Sequence, residues 1–174
     1  MHQRLEKIDY INDHITDYLL KASRGDLNEN QSKEVFALVS TVNYINLINN
    51  AVTMHFDSLV GKKEGLEENF SDDDQHEIIE YHTKLLKQIK RLNKFFNKFD
   101  RAKAEKIVVK GEKYKDLEEK YQLEQFKRMS GNVTKSVETH QLHVELIDML
   151  KQINTFIELI ASALLEIDGG ARQG

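Results

Sequence analysis

Two asparagines spaced one helical turn apart, Asn46 and Asn50, lie in the segment VNYINLINN, where an apolar helix stripe is expected. An α-helix advances about 100° per residue, so residues four apart share one face. Leu38, Val39 and Val42 occupy the same arc, which predicts that both amides point into the protein. A buried amide without a hydrogen-bond partner costs about 1–3 kcal/mol, so the pair requires a chemical reason.

Two other constellations have spacings that suit metal ligands. Asp9, Asp13 and Asp17 follow one another at four-residue steps. They lie roughly 90° or more from the apolar stripe of their segment, so a solvated helix face is the favoured interpretation. His140 and His143 are three residues apart, which is compatible with metal binding. The sequence offers no evident third ligand and His143 falls on an apolar stripe, so a core or boundary histidine is favoured.

The remaining polar motifs point away from catalysis. Ser71 precedes three aspartates, Asp72 to Asp74, a composition typical of a helix N-cap and first turn rather than of a calcium loop. No nucleophile elbow, phosphate-binding glycine loop or Ser/His/Asp arrangement can be found. We therefore predict no catalytic residue and no enzymatic activity.

A row of basic residues follows the predicted third helix at three- and four-residue steps and lies nearly opposite its apolar stripe. The row consists of Lys84, Lys87, Arg91, Lys94, Lys98 and Arg101. A solvated face is the simpler interpretation. The alternative is a surface that faces anionic lipid headgroups or an acidic partner.

The elements that must position these residues are all predicted to be helical. The 174-residue chain has no proline and only eight glycines, so helix breakers are scarce. Apolar residues at three-four steps predict helices over about residues 1–23, 30–60 and 137–167, and from residue 71 onward with a kink or break at Gly111. We predict an all-α, antiparallel bundle of five or six long helices. Its weakly repeated halves are about residues 1–66 and 67–167, and residues 168–174 form a flexible tail.

Composition narrows the class of protein further. The net charge of −4 gives no global reason to expect nucleic acid as a partner. The absence of cysteine excludes disulfides and thiolate metal sites. No apolar run comes near the about 20 residues of a spanning helix, and the N-terminus is not a signal peptide. The sequence is therefore expected to be a soluble piece, and it has the character of a part cut from a longer chain.

Three segments carry a resemblance to a known family. LEKIDYINDHITDYLLKAS and LNENQSKEVFALVSTVNYINLINN resemble the opening helical hairpin of a PhoU-like domain, in the form found at the C-terminus of sodium/phosphate cotransporters. FKRMSGNVTKSVETHQLHVELIDMLKQINTFIELIASALL is similar to the closing loop and helix of that domain. The resemblance covers about residues 4–166. It implies a PhoU-like bundle with a degenerate internal repeat on the cytoplasmic side of the cell membrane.

The resemblance also gives the asparagines an interpretation. In that family a Glu and an Asp one turn apart belong to a motif that binds metal clusters in some members. Asn46 and Asn50 occupy those positions here, and Lys151 and Thr155 occupy the corresponding positions in the last helix. Neutral amides and a lysine are poor ligands for divalent ions. We therefore predict a degenerate motif that holds no metal cluster, and no cofactor.

Together these features predict a non-catalytic cytoplasmic regulatory and interaction domain of a sodium-dependent phosphate transporter-like membrane protein. Its expected partner is a transmembrane transporter region, in its own chain or in a separate protein. An anionic membrane surface and a homodimer are further candidates, and nucleic acid is not expected. One alternative is a free-standing PhoU-type regulator of phosphate uptake and signalling. The other is a metal-binding helical-bundle enzyme, which would need inward Glu and Glu-x-x-His sets that are missing.

Overall fold

The computed structural model describes the backbone of residues 2–131 and 137–171 and the side chains of residues 6–128, 130 and 137–167. It is 90% helical, with five helices and no strand among these residues. The predicted all-α bundle is therefore confirmed. Residues 132–136 lie outside the described residues.

The five helices differ in length and one of them is irregular. The first is α1 (His2–Ala22), and the second is a continuous rod made of α2 (Glu29–Asn50), a π turn (Ala51–His55) and α3 (Phe56–Glu64). The others are α4 (Asp72–Asn97), α5 (Arg101–Gly131) and α6 (Val137–Ala171). Helix α6 therefore continues into the predicted tail, of which residues 172–174 lie outside the described residues.

Helix α6 is the centre of the bundle. It packs against α2, α3, α4 and α5, while α1 packs against α2. The predicted apolar stripe of α6 is buried at Leu150, Ile153, Ile157, Ile160 and Leu164. Both halves of the chain therefore share one core that is organised around the last helix.

Side-chain caps fix where two of the helices begin. The side chain of Asn28 accepts a hydrogen bond from the backbone amide of Gln31 at 2.9 Å, and the backbone amide of Asn28 donates to the side-chain oxygen of Gln31 at 3.0 Å. Ser71 and Asp74 form the same reciprocal arrangement at the start of α4. Such a capping box satisfies amide groups that lack a partner in the first turn. The predicted capping role of Ser71 is confirmed.

The π turn changes which residues of the second helix face the core. The sequence predicts Val52 and Phe56 on the inner side, but both are exposed, and Ala51 and Leu59 are buried instead. A π turn has i→i+5 hydrogen bonds, so it shifts the helical phase of the residues that follow. The predicted stripe is correct before the turn, where Val42 is buried, and wrong after it.

The buried face of α4 also differs from the predicted stripe. His82, Ile89, Phe96 and the following Phe99 were expected inside and are exposed. The residues that are buried on this helix are Asp74, Glu77, Tyr81, Leu85, Gln88, Leu92 and Phe95. Leu85 and Leu92 of the predicted stripe are therefore buried as expected, but three of the buried residues are polar, so apolarity alone misplaces the rest of the arc. Gln88 can be buried because its side-chain amide donates to the carbonyl of Ile107 at 2.8 Å.

Gly111 does not break a helix but allows two helices to approach closely. The chain turns at residues 98–100 instead, and Gly111 lies within the continuous helix α5. A Cβ atom at this position would overlap Cγ and Cδ of Glu158 on α6. The carbonyl of Gly111 accepts a hydrogen bond of 3.2 Å from Asn154. The predicted kink is therefore wrong, and the glycine is a contact point between α5 and α6.

One helix of the described residues is long and apolar enough to cross a membrane by length and composition. It is the rod Glu29–Glu64, with a mean hydropathy of 1.3 over an 18-residue window. The expectation that no segment approaches this length is therefore wrong. Core helices can have the same composition, and this rod does pack against α1 and α6. Only 22% of the window is buried, however, so much of the rod faces outward.

Candidate functional site

Four ionisable side chains from three helices meet in the interior at one end of the bundle. Asp74 and Glu77 come from the first two turns of α4, Arg128 comes from α5 and His143 comes from α6. We call these four residues the buried cluster. Asp74 and Glu77 are each 4% exposed and His143 is 2% exposed.

Local structure orients the two acids. Because Asp74 and Glu77 are three residues apart on a helix, their side chains share one face. Asp74 is also held by the cap of α4, where one of its carboxylate oxygens accepts the amide of Ser71 at 3.1 Å. Its other oxygen lies 3.4 Å from Nη2 of Arg128.

Arg128 binds the second acid more closely. Its two terminal nitrogens donate to the two carboxylate oxygens of Glu77 at 2.9 and 3.1 Å, which is the bidentate geometry that guanidinium favours. The guanidinium also donates to the side-chain oxygen of Gln125. The amide nitrogen of Gln125 in turn lies 2.6 Å from Nδ1 of His140. A chain of polar contacts thus leads from the buried acids to the half-buried His140.

The protonation states follow from burial and from the neighbouring charges. Burial raises the pKa of Glu77 above its ordinary value, and Arg128 only partly opposes this. For Asp74 burial acts in the same direction, but the hydrogen bonds with Ser71 outweigh it and the pKa is lowered. Burial lowers the pKa of His143 to about 4, against the pull of Asp74. The imidazole of His143 is therefore neutral at neutral pH.

A surface cavity of about 390 Å³ opens beside the cluster. Glu77 and Arg128 form part of its wall together with Glu80, Tyr121 and Lys127. The hydroxyl of Tyr121 donates to Glu80 at 2.6 Å, and Glu80 also pairs with Lys84. Tyr121, Glu80 and Lys84 thus satisfy one another, as do Glu77 and Arg128, so the wall has the character of an ion-binding or structural surface.

The predicted amide site is not assembled as expected. Asn46 is half-buried and Asn50 is exposed, so the prediction that both amides point into the protein is wrong for Asn50. In the last helix Lys151 pairs with the buried Glu118 at 2.9 Å, and Thr155 is half-buried. Helix α2 turns its buried residues Ala37, Thr41 and Val42 inward, which leaves the amides on the flank and the outside.

The predicted histidine and aspartate positions have a mixed outcome. Asp9, Asp13 and Asp17 are exposed, as the solvated-face interpretation predicts. His143 is a core histidine, also as predicted. The sequence offered no third ligand beside it, but Asp74 and Glu77 lie there. Only the burial of an aspartate and a glutamate three residues apart could have signalled the cluster, and burial is a tertiary property.

The basic row flanks the buried face of α4 and does not lie opposite it. Lys87, Lys94 and Lys98 are exposed, while Lys84 and Arg91 are half-buried. Lys84 pairs with Glu80 at 2.7 Å, and Arg101, which lies beyond the turn on α5, pairs with Glu105 at 2.9 Å. Within the described part of the chain, no hydrogen bond or ion pair joins the basic row to the four residues of the buried cluster.

The outer side of the second helix lacks charge. Residues 35–54 contain no Asp, Glu, Lys, Arg or His. Phe36, Asn43, Leu47 and Asn50 follow at steps of seven, four and three residues, which places them on one face, and all four are exposed. Met54 follows in the π turn, and it and Phe36 are each 72% exposed. We call these five residues the uncharged face.

Comparisons of the chain with protein-family models, with curated proteins and with solved structures found no match. The PhoU-like resemblance thus depends on the sequence segments described above.

Proposed function

We propose that the chain is a non-catalytic regulatory and interaction domain, the cytoplasmic PhoU-like domain of a sodium-dependent phosphate transporter-like membrane protein. The uncharged face is the observation that carries this proposal. Surface helices of an isolated domain normally present charged residues to water. Exposed apolar residues that cluster without charge are typical of a protein–protein or membrane contact.

The chemistry of this face favours a protein partner whose surface carries apolar groups and uncharged hydrogen-bonding groups. Phe36, Leu47 and Met54 offer apolar side chains, while Asn43 and Asn50 offer hydrogen-bond donors and acceptors without charge. A transmembrane region at its cytoplasmic boundary presents both kinds of group. The motif resemblance supplies the transporter class, and the basic row supplies a second surface that suits anionic lipid headgroups.

Photo-crosslinking in cells tests the proposal. A photoreactive phenylalanine analogue is placed at Phe36, Leu47 or Met54 of the complete gene product, and Glu119, an exposed residue of α5, provides the control position. We expect ultraviolet light to yield a crosslink to a membrane-spanning segment from the three positions and none from Glu119. Crosslinks to cytoplasmic proteins only, or equal crosslinks from all four positions, would contradict the proposal.

The coding sequence upstream of residue 1 separates the two PhoU-like alternatives. A transporter domain requires membrane-spanning segments in the same reading frame, each about 20 apolar residues long. A free-standing regulator has no such segment in its own chain, and its crosslinks would connect two polypeptides.

A further inference from the structure

The buried cluster contains three side chains of the kinds that bind transition metals. One ligand atom each from Asp74, Glu77 and His143 lies within 4.8 Å of the others, and all three residues are buried. No other group of three such side chains comes as close within the described residues. An imidazole nitrogen with carboxylate oxygens is a donor set that Zn²⁺ and the neighbouring first-row divalent ions accept.

His143 points to a ligand independently of the acids. It is 2% exposed, and neither of its ring nitrogens has a hydrogen-bond partner among the described residues. A buried polar group without a partner costs about 1–3 kcal/mol. A cavity of only about 10 Å³ adjoins the ring, which is close to the smallest space for one water molecule. A metal ion would satisfy one of the two ring nitrogens.

The spacing of the donors also fits a metal site. Nε2 of His143 lies 3.2 Å from one carboxylate oxygen of Glu77, but the contact does not have hydrogen-bond geometry. Two ligands of a tetrahedral zinc ion are about 3.4 Å apart, given metal–ligand distances of about 2.1 Å. Two of the three donors thus already have the separation that a shared ion requires.

Arg128 supplies the positive charge that the acids need when no ion is bound. Two carboxylates and a neutral imidazole match the charge of one divalent ion, whereas the guanidinium balances only one of the two acids. The side chain of Arg128 is 31% exposed and borders the cavity of about 390 Å³. It can therefore swing toward solvent, and the same cavity gives an ion access to Glu77.

We propose that Asp74, Glu77 and His143 form a site for one divalent transition-metal ion such as Zn²⁺, and that Arg128 takes the place of the ion until it binds. The site lies at the junction of α4, α5 and α6 and is separate from Asn46 and Asn50. The proposal does not depend on the transporter assignment.

Zinc titration of the tag-free chain tests the site. After chelator treatment, we expect calorimetry to show one Zn²⁺ bound per chain and a higher melting temperature in its presence. His143→Gln removes a ligand and should abolish this binding. Arg128→Gln removes the competing cation. If the open state is populated at about 1–10%, its removal should tighten zinc binding by about 10–100-fold.

A second histidine provides a control for the zinc titration, and X-ray absorption of the wild type identifies the ligands directly. His76→Gln alters an exposed histidine on the wall of the neighbouring cavity and should leave zinc binding unchanged. X-ray absorption of the zinc-loaded wild type should show one imidazole and otherwise oxygen ligands at about 2.0–2.1 Å. No zinc binding by either the wild type or Arg128→Gln overturns the proposal. Binding that survives His143→Gln, or a first shell with two imidazoles, overturns it as well.

Discussion

Arg128 is the cation that allows two acids to be buried side by side without metal. Its guanidinium donates to both oxygens of Glu77 and lies near Asp74, and both acids are almost wholly buried. Removing one partner of a buried pair costs about 3–5 kcal/mol, because the other charge stays buried and unpaired. Since the side chain of Arg128 is itself partly exposed, removing it should cost less stability than this range.

We expect Arg128→Gln to lower the free energy of unfolding by about 2–3 kcal/mol in the presence of chelator, as measured by urea denaturation. The neighbouring Lys127→Gln removes the same charge from an exposed position. This variant should change the free energy of unfolding by less than about 0.5 kcal/mol. Equal stabilities of the two variants would show that Arg128 does not hold the buried acids.

Glu158 makes the stability of the protein depend on pH. Burial raises its pKa above the ordinary value of 4.5, and the nearby Lys115, 3.0 Å away, only partly opposes this. The folded state therefore binds this proton more tightly than the unfolded state. The resulting stabilisation is fully present below pH 4.5 and is lost as the pH rises through the folded-state pKa.

Glu158→Gln cannot lose a proton, so it should remove this pH dependence. We expect the free energy of unfolding of the variant, relative to the wild type, to increase as the pH is raised from about 4.5 to 7. Urea denaturation at several pH values measures the difference. Glu119→Gln, on the exposed side of α5, is the matched control and should give a flat difference. A flat difference for Glu158→Gln would contradict the pKa assignment.

At the scale of elements, most helix boundaries can be predicted from the sequence, because the caps are local. Asn28 and Ser71 each bind an amide three residues away, and such contacts leave a sequence signature. The faces of the helices are less predictable. The π turn after Asn50 and the burial of Gln88 on α4 both depend on packing against other helices, so the apolar pattern alone predicts only part of each buried face.

The close approach of α5 and α6 at Gly111 can be tested by adding one methyl group. Gly111→Ala places a Cβ against Glu158, so we expect a loss of about 1–3 kcal/mol in the free energy of unfolding. Adding Glu158→Ala clears the space and should recover part of that loss. Gly61→Ala is the control, since a Cβ there meets no atom within 4 Å, and it should stabilise α3 by about 0.5–1 kcal/mol.

A different outcome would contradict the role of this contact. If Gly111→Ala and Gly61→Ala both stabilise the protein, the glycine does not determine the approach of the two helices. Additive effects of Gly111→Ala and Glu158→Ala would show the same, because residues in contact are expected to couple.

The basic row on α4 can be tested by charge reversal. Each Lys or Arg near an anionic membrane is worth about 1 kcal/mol, and salt screens this attraction. Reversing Lys87, Arg91 and Lys94 to Glu should therefore weaken co-sedimentation with anionic liposomes at low salt. Because Arg91 donates to the side-chain oxygen of the buried Gln88 at 2.9 Å, the reversal should also lower the melting temperature, so liposome binding is compared well below it.

The chain provides a matched control for this reversal on α5. Lys106, Lys110 and Lys113 have the same spacing, and their reversal makes the same change in net charge. Equal binding by the two triple variants would show that net charge, and not the row, attracts the membrane. No binding by the wild type would leave the row as a solvated face.

At the scale of the whole molecule, the all-α fold could be predicted because its causes lie in composition. A chain without proline, with few glycines and with long three-four stripes forms long helices. The buried cluster could not be predicted in the same way, because Asp74 and His143 are distant in sequence and each has an ordinary local explanation, as a cap and as a core residue.

The most direct test of the regulatory role is sodium-dependent phosphate uptake by cells that make the complete gene product. Phe36→Asp together with Leu47→Asp puts charge on the uncharged face without touching the core, since both residues are exposed. We expect this double variant to alter the rate of uptake, or the response of uptake to external phosphate, while the amount of protein in the membrane stays unchanged. Glu119→Lys should behave as the wild type. Uptake that is identical for all variants at all phosphate concentrations, or an absence of sodium-dependent uptake from the wild type, would contradict a regulatory domain of a phosphate transporter.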